Sequence, residues 1–122
     1  MCIRDRSKQF HLLAGVRQGG ILSPCLFAIV IDSMIKKLRA VGYGAFIGQF
    51  YFGCLLHADD IILVCHSITT MQTMLDICSR EANLLDFTFN TVKSMAMQIG
   101  PRYKYSCMPL VLNGSELSLI HI

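Results

Sequence analysis

Apolar residues recur at helical spacing in two parts of this chain and alternate or cluster at strand length elsewhere. Leu26, Phe27, Val30, Met34, Leu38 and Val41 fall on one helical face, and Cys25, Ala28, Ile29 and Ile31 fill other faces. That pattern predicts a mostly buried helix near residues 24–41. Ser23 is the expected N-cap, Pro24 suits the first turn, and Gly42 and Gly44 end the helix. Lys36, Lys37 and Arg39 lie in its last turns, where positive charge complements the helix dipole at a solvated end. Met71, Met74, Leu75, Cys78, Ala82 and Leu85 form a second stripe. It predicts an amphipathic helix near 68–86, capped by Ser67 or Thr69.

The strand signals are shorter. Cys54-Leu55-Leu56-His57 and Ile61-Ile62-Leu63-Val64-Cys65 flank Ala58-Asp59-Asp60. Two brief apolar runs around a tight polar centre read as a β-hairpin with carboxylates at its tip. The aromatic stretch 45–53 reads as a strand and turn feeding that hairpin, with its aromatics assigned to the core. Phe87-Thr88-Phe89 alternates as a short strand, 90–94 is a polar turn, and 95–99 is another strand stopped by Gly100-Pro101. Asn113-Gly114 predicts a hairpin within 110–117. Nearer the start, Phe10 to Ala14 could form a strand. Gly15-Val16-Arg17-Gln18-Gly19-Gly20 follows, where glycine permits close backbone approach to a ligand. No Lys-Ser/Thr follows Gly20, so this is not a Walker loop. The expected fold class is α+β: a small antiparallel sheet with an acidic hairpin, backed by two helices.

Composition changes the picture in two ways. The chain has 122 residues, 53% hydrophobic and 16% charged, which is apolar for a domain with so much surface per volume. It therefore reads as part of a larger core. The six cysteines are scattered with no CxxC pair, which argues for reduced thiols serving as small core residues. The apolar run around Ile29 to Ile31 is broken by Asp32 and is too short for a membrane span. A net charge of +3 is a weak pointer to a polyanionic partner. Arg102 to Tyr105 interleave charge with aromatics, a pattern shared by solvated edges and nucleic-acid surfaces. The ends, 1–6 and 118–122, match nothing in the interior and resemble translated adapter sequence, so the native segment is expected to be 8–117.

Asp59 and Asp60 carry the candidate chemistry. Adjacent acids beside apolar strands repel each other unless a cation sits there. The natural cation is Mg²⁺, which prefers oxygen ligands. An ordinary polar turn would use the same residues, since Asp favours turns for local hydrogen bonds.

Three blocks in order suggest more. Gly15 to Pro24 with its Gln18-Gly19 centre, the Asp59-Asp60 hairpin, and Phe89-Asn90-Thr91-Val92-Lys93-Ser94 together resemble the palm of reverse transcriptases of non-LTR (LINE-type) retrotransposons. The resemblance implies RNA-templated DNA synthesis from a nick or an RNA primer, with RNA template, DNA primer and dNTPs as partners and two Mg²⁺ ions in the parent enzyme. By that resemblance, Arg17, Gln18 and Gly19 shape the pocket for the incoming nucleotide and template. Asp59 is the metal-binding acid with Asp60 its supporting partner, and Lys93 lies near the leaving pyrophosphate. Phosphoryl transfer needs such charge neutralisation and positioning more than covalent chemistry. The parent element would act in cytoplasm and nucleus, with no membrane partner.

Two departures stand out. His57 occupies a position where the family carries Tyr or Phe. The family's third metal-binding aspartate lies on a strand upstream of Lys8, and this segment carries neither that strand nor fingers or thumb. The isolated segment is accordingly expected to be inactive. Other readings are a non-functional relic, or a metal-dependent phosphohydrolase using His57, Asp59 and Asp60.

Overall fold

The computed structural model describes residues 21–101 and 108–121. Among these, the order is α1 (Ser23–Val41), β1 (Phe46–Ile47), β2 (Phe50–Tyr51), β3 (Cys54–His57), β4 (Asp60–Leu63), α2 (Ile68–Leu84), β5 (Met95–Gln98), β6 (Val111–Leu112), β7 (Ser115–Glu116) and β8 (Ser118–His121). The class is α+β, as the spacing predicts.

Both helices sit where the stripes place them, but their starts differ from expectation. Ser23 is the first helical residue of α1, and Leu22 stands at the N-cap with no side-chain hydrogen bond to offer. Pro24 still occupies the first turn, where its missing N–H costs nothing. Gly42 ends α1 at φ 77°, and its N–H donates to the Arg39 carbonyl at 3.0 Å. Ser67 is the N-cap of α2 with extended backbone, yet its side chain makes no capping bond to the helix. Its hydroxyl lies 2.8 Å from that of Thr69 instead.

The core lies where the helices cross the acidic hairpin. Ile31, Met34 and Leu38 of α1, Met74, Ile77 and Cys78 of α2, and Cys54 of β3 form one buried cluster. Each large side chain so buried contributes about 1.5–3 kcal/mol relative to exposure. Leu75, Leu110 and Leu112 form a second cluster. The side-chain amide of Gln72 fixes the β6 strand there, donating to the Val111 carbonyl at 2.9 Å and accepting its N–H at 2.8 Å. α1 is less buried than its composition suggests: Leu26, Ile29, Val30 and Val41 are exposed. Ile31, Met34 and Leu38, in an i, i+3, i+7 stripe, are its fully buried residues, and Phe27 and Ile35 flank them half-buried.

The strands form four two-stranded ladders rather than one sheet. β1–β2, β3–β4 and β6–β7 are antiparallel; β5 and β8 pair in parallel, with Met95 opposite Ser118. β8 is built from the terminal residues that look foreign in the sequence. The Asn113-Gly114 turn takes φ 51° and 77°, the left-handed pair that a two-residue hairpin needs. β1–β2 joins the acidic hairpin through Ala45, whose N–H donates to the Val64 carbonyl at 2.9 Å.

Two expectations are corrected. Residues 87–89 form no strand, because their backbone finds no ladder among the described residues. Their alternation is real, with Phe87 and Phe89 half-buried and Thr88 exposed, but it comes from two rings packing edge to face at 5.6 Å. The aromatics of 45–53 are not mainly core either. Phe46, Phe50 and Phe52 are exposed, Phe50 by 74%, while Tyr51 packs against the core.

The basic residues of α1 also do more than face a dipole. Lys36 pairs with Asp32 at 2.6 Å on the same helix. Lys37 hydrogen-bonds and ion-pairs with Glu81 of α2, the one buried charged residue among those described.

Candidate active site

The acidic hairpin has an unbroken register. Cys54 faces Leu63, Leu55 faces Ile62, Leu56 faces Ile61, and His57 faces Asp60. Only Ala58 and Asp59 remain for the turn, and Ala58 takes φ 50° to close it. Alternation then sorts the side chains. Cys54, Leu56, Ile61 and Leu63 face the helices and are buried or half-buried. Leu55, His57, Asp60 and Ile62 lie on the other face and are exposed.

The two acids therefore part company. Asp60 opens β4 opposite His57 on the outer face. Asp59, in the turn, borders a cleft of about 290 Å³. α1 supplies Phe27 and Ile31 to that cleft, the hairpin adds Leu56 and Ile61, and residues Phe87 to Asn90 close its other side. The walls are mostly apolar, with Asp59, Thr88 and Asn90 as the polar groups. Both acids are exposed, and neither forms an ion pair with a described residue.

Lys93 follows the cleft-lining stretch by three residues. Its turn is tied by Asn90, whose Oδ1 accepts the N–H groups of Val92 and Lys93 at 3.1 and 3.2 Å. The Asn90 carbonyl accepts the Ser94 N–H at 3.1 Å and the Ser94 hydroxyl at 2.8 Å. Asn90, which opens the Lys93 turn, thus lines the cleft that Asp59 borders, while Lys93 itself is not among the residues lining it. Arg17, Gln18 and Gly19 lie outside the described residues, as do Arg102 to Tyr105.

Behind the hairpin the electrostatics favour neutral groups. Burial pushes the Cys78 thiol up to about 12, with the nearby Cys54 and Glu81 adding to the effect. Burial raises Cys54 as well. Tyr51 rises to about 12 through burial and the same two thiols, and its buried hydroxyl has no hydrogen-bond partner among the described residues. These residues form an inert back wall.

No three His, Cys, Asp or Glu residues converge as a metal-binding group among the described residues. His57 and Asp60 on one face and Asp59 at the cleft do not make the convergent donor set that a hydrolase of that type requires. No helix among the described residues is long and apolar enough to cross a membrane.

The sequence alone places Asn90, Phe27 and Thr88 in a turn, a helix and a short strand, and gives none of them a place at the cleft. Asn90 had a readable signal, since Asn opening a polar run favours turns that bond its own backbone.

A profile of the family described as reverse transcriptase (RNA-dependent DNA polymerase) matches residues 2–109. The chain belongs to the reverse transcriptase family. Among curated relatives, this reverse transcriptase segment is 32% identical over 114 residues to the retrovirus-related Pol polyprotein from the type-1 retrotransposable element R2 of Nasonia vitripennis, covering 93% of this chain and 10% of that protein. It is 29% identical over 104 residues to the counterpart from the type-2 element R2DM of Drosophila melanogaster, covering 85% of this chain and 10% of that protein. A third, from the R2 element of Popillia japonica, is 28% identical over 96 residues, covering 78% of this chain and 14% of that protein. The reverse transcriptase segment thus spans about a tenth of the length of the relatives it matches best in coverage. No solved structure matches it. The resemblance to non-LTR retrotransposon reverse transcriptases is borne out at the level of the family.

Proposed function

We propose that this chain supplies the acidic hairpin and adjoining cleft of an RNA-directed DNA polymerase encoded by a non-LTR retrotransposon. The parent enzyme copies an RNA template onto a DNA primer from dNTPs, in the compartments where such an element meets its RNA and its target, the cytoplasm and nucleus. One observation carries this reading: Asp59 borders the same cleft as Asn90, which ties the turn bearing Lys93.

In this reading each group acts at a definite place. Asp59 presents negative charge at the cleft, and Asp60 supports it from the first position of β4. Lys93 presents positive charge where pyrophosphate departs. Arg17, Gln18 and Gly19 contact the incoming nucleotide and the template base. The oxygen donors of Asp59 and Asp60 fit a hard divalent cation in kind; Asp59, which borders the cleft, would hold it, whereas Asp60 starts from the opposite face of the hairpin. These donors fall short of a complete set, so further oxygens must come from elsewhere in the polymerase. A bound divalent ion supplies charge neutralisation at the reacting phosphate oxygens. The protein's own share is positioning, which alone accounts for large rate factors in such reactions.

The test uses the longest open reading frame that carries this segment. Template-dependent dNTP incorporation on RNA is measured for the parent, for Asp59→Asn and for Lys93→Ala. Asp59→Asn is expected to abolish incorporation, and Lys93→Ala to slow it at least tenfold. Unchanged incorporation by Asp59→Asn would sink the assignment. The 122-residue chain alone is expected to extend no primer.

A further inference from the structure

The Lys93 turn has one organising residue. Asn90 makes four hydrogen bonds in this turn: two amides to its side-chain oxygen, and one amide and one hydroxyl to its carbonyl. All four donors lie within the next four residues, so the clasp is local and closes without help from distant strands. Asn90 is also fixed from behind. Phe89 packs against both core clusters, and Asn90 itself lines the cleft that Asp59 borders. Lys93, by contrast, is exposed and makes no ion pair with a described residue. A lysine stem has four rotatable bonds and loses its aim unless its backbone is held.

We infer that Asn90 is a positioning residue for Lys93: its side-chain oxygen sets the backbone from which the lysine reaches the cleft at Asp59. This rests on the polymerase reading of Asp59 and Lys93 given above. Removing the Oδ1 acceptor frees the Val92 and Lys93 amides and lets the turn open. A misplacement of about 1 Å at a catalytic group costs on the order of a hundredfold in rate. Asp supplies the same acceptor at the same reach and favours the same turn, so it is the conservative replacement.

The experiment compares Asn90→Ala, Asn90→Asp, Lys93→Ala and the Asn90→Ala/Lys93→Ala double variant in the longest open reading frame that carries the segment. Steady-state incorporation gives kcat and KM for dNTP, and hydrogen exchange reports on the amides of 91–94 and of α2. Asn90→Ala is expected to lower kcat at least tenfold with KM within twofold, and to lose protection at Val92 and Lys93 while α2 stays protected. Asn90→Asp is expected to keep protection and kcat within threefold. The double variant is expected to fall no lower than Lys93→Ala, because two residues acting as a unit are not additive. The inference is overturned if Asn90→Ala keeps kcat within twofold, or if its loss multiplies with that of Lys93→Ala. It is also overturned if α2 loses protection in Asn90→Ala and Asn90→Asp does not restore kcat. Should Lys93→Ala itself leave incorporation unchanged, the assigned role of Lys93 fails, and this inference fails with it.

Discussion

Lys37 of α1 and Glu81 of α2 form an ion pair that joins the two helices, with Glu81 only 5% exposed. Arg80 approaches the other carboxylate oxygen at 3.8 Å. Removing one partner of a buried pair strands a charge. The Lys37 side chain is half-exposed, so water compensates part of that loss. Lys37→Met is expected to lower unfolding stability by about 1–2 kcal/mol, with Glu81→Gln partly restoring it in the double variant. Urea unfolding of the four species closes the cycle, and an additive result would show the pair to be energetically silent.

Tyr51 fills the space that Gly44 and Gly53 leave open. A Cβ at Gly53 would lie 2.5 Å from the Tyr51 ring, and one at Gly44 would lie 2.6 Å from the Gly53 Cα. Gly53→Ala is expected to cost about 1–3 kcal/mol through overpacking. Tyr51→Phe removes a buried hydroxyl that has no partner among the described residues, and is expected to be neutral or stabilising by up to about 1 kcal/mol. Thermal unfolding distinguishes the two, and a destabilised Tyr51→Phe would show that the hydroxyl has a partner.

The buried thiol of Cys78 predicts a sensitivity on the alkaline side. Its pKa rises from 9.0 to about 12 in the folded chain, so the unfolded state releases its proton first. Its contribution is complete below pH 9.0 and is lost as pH climbs toward about 12. At pH ~10.5 the expected loss is on the order of 1–2 kcal/mol. Urea midpoints at pH 8 and 10.5 measure it, and Cys78→Ala should flatten the difference while lowering the midpoint at both.

His57 faces Asp60 on the exposed side of the hairpin. His57→Tyr is expected to change stability by no more than about 0.5 kcal/mol, as for other exposed positions. In the full polymerase it is expected to keep or raise dNTP incorporation. A tenfold fall in incorporation with the fold intact would give the imidazole a part in the chemistry.

The outer face of the hairpin joins Leu55 to Ile62, and Val64 continues it. Ile62 is 56% exposed, and Phe50 and Ile47 lie bare on the neighbouring ladder. Contiguous apolar surface of this kind drives association. The isolated chain is expected to sediment as oligomers at micromolar concentration, and Leu55→Lys with Ile62→Glu to shift it toward monomer. A monodisperse, sharply melting parent chain would contradict this.

The helices and two of the three hairpins with two-residue turns are legible because their signals are local. Periodicity placed α1 and α2, and Asn113-Gly114 and Asp59-Asp60 marked their turns. What escaped was set by distance along the chain. Lys37 and Glu81 are 44 positions apart, and nothing in either neighbourhood announces the other. Tyr51 among its glycines was hidden for the same reason, since a ring packed on backbone leaves no periodic trace. At 87–89 the alternation gives the half-buried phenylalanines but no ladder, because alternation reports burial and not strand pairing. Asp59 and Lys93 stand out by residue type, whereas what distinguishes Asn90 from an ordinary turn residue is its set of hydrogen bonds, which the sequence does not show.

The two-residue turn at Ala58-Asp59 makes the hairpin count in twos. Strand side chains change face at every step, so one residue added to or lost from β3 would turn over all those beyond it. Leu56 would leave the core, His57 would enter it, and the acids would exchange sides. A change of two residues would lengthen the arm yet keep Asp59 on the cleft side. Length variation among related hairpins is therefore expected in even steps, and a single-codon insertion here is expected to inactivate the enzyme even where every acid is preserved.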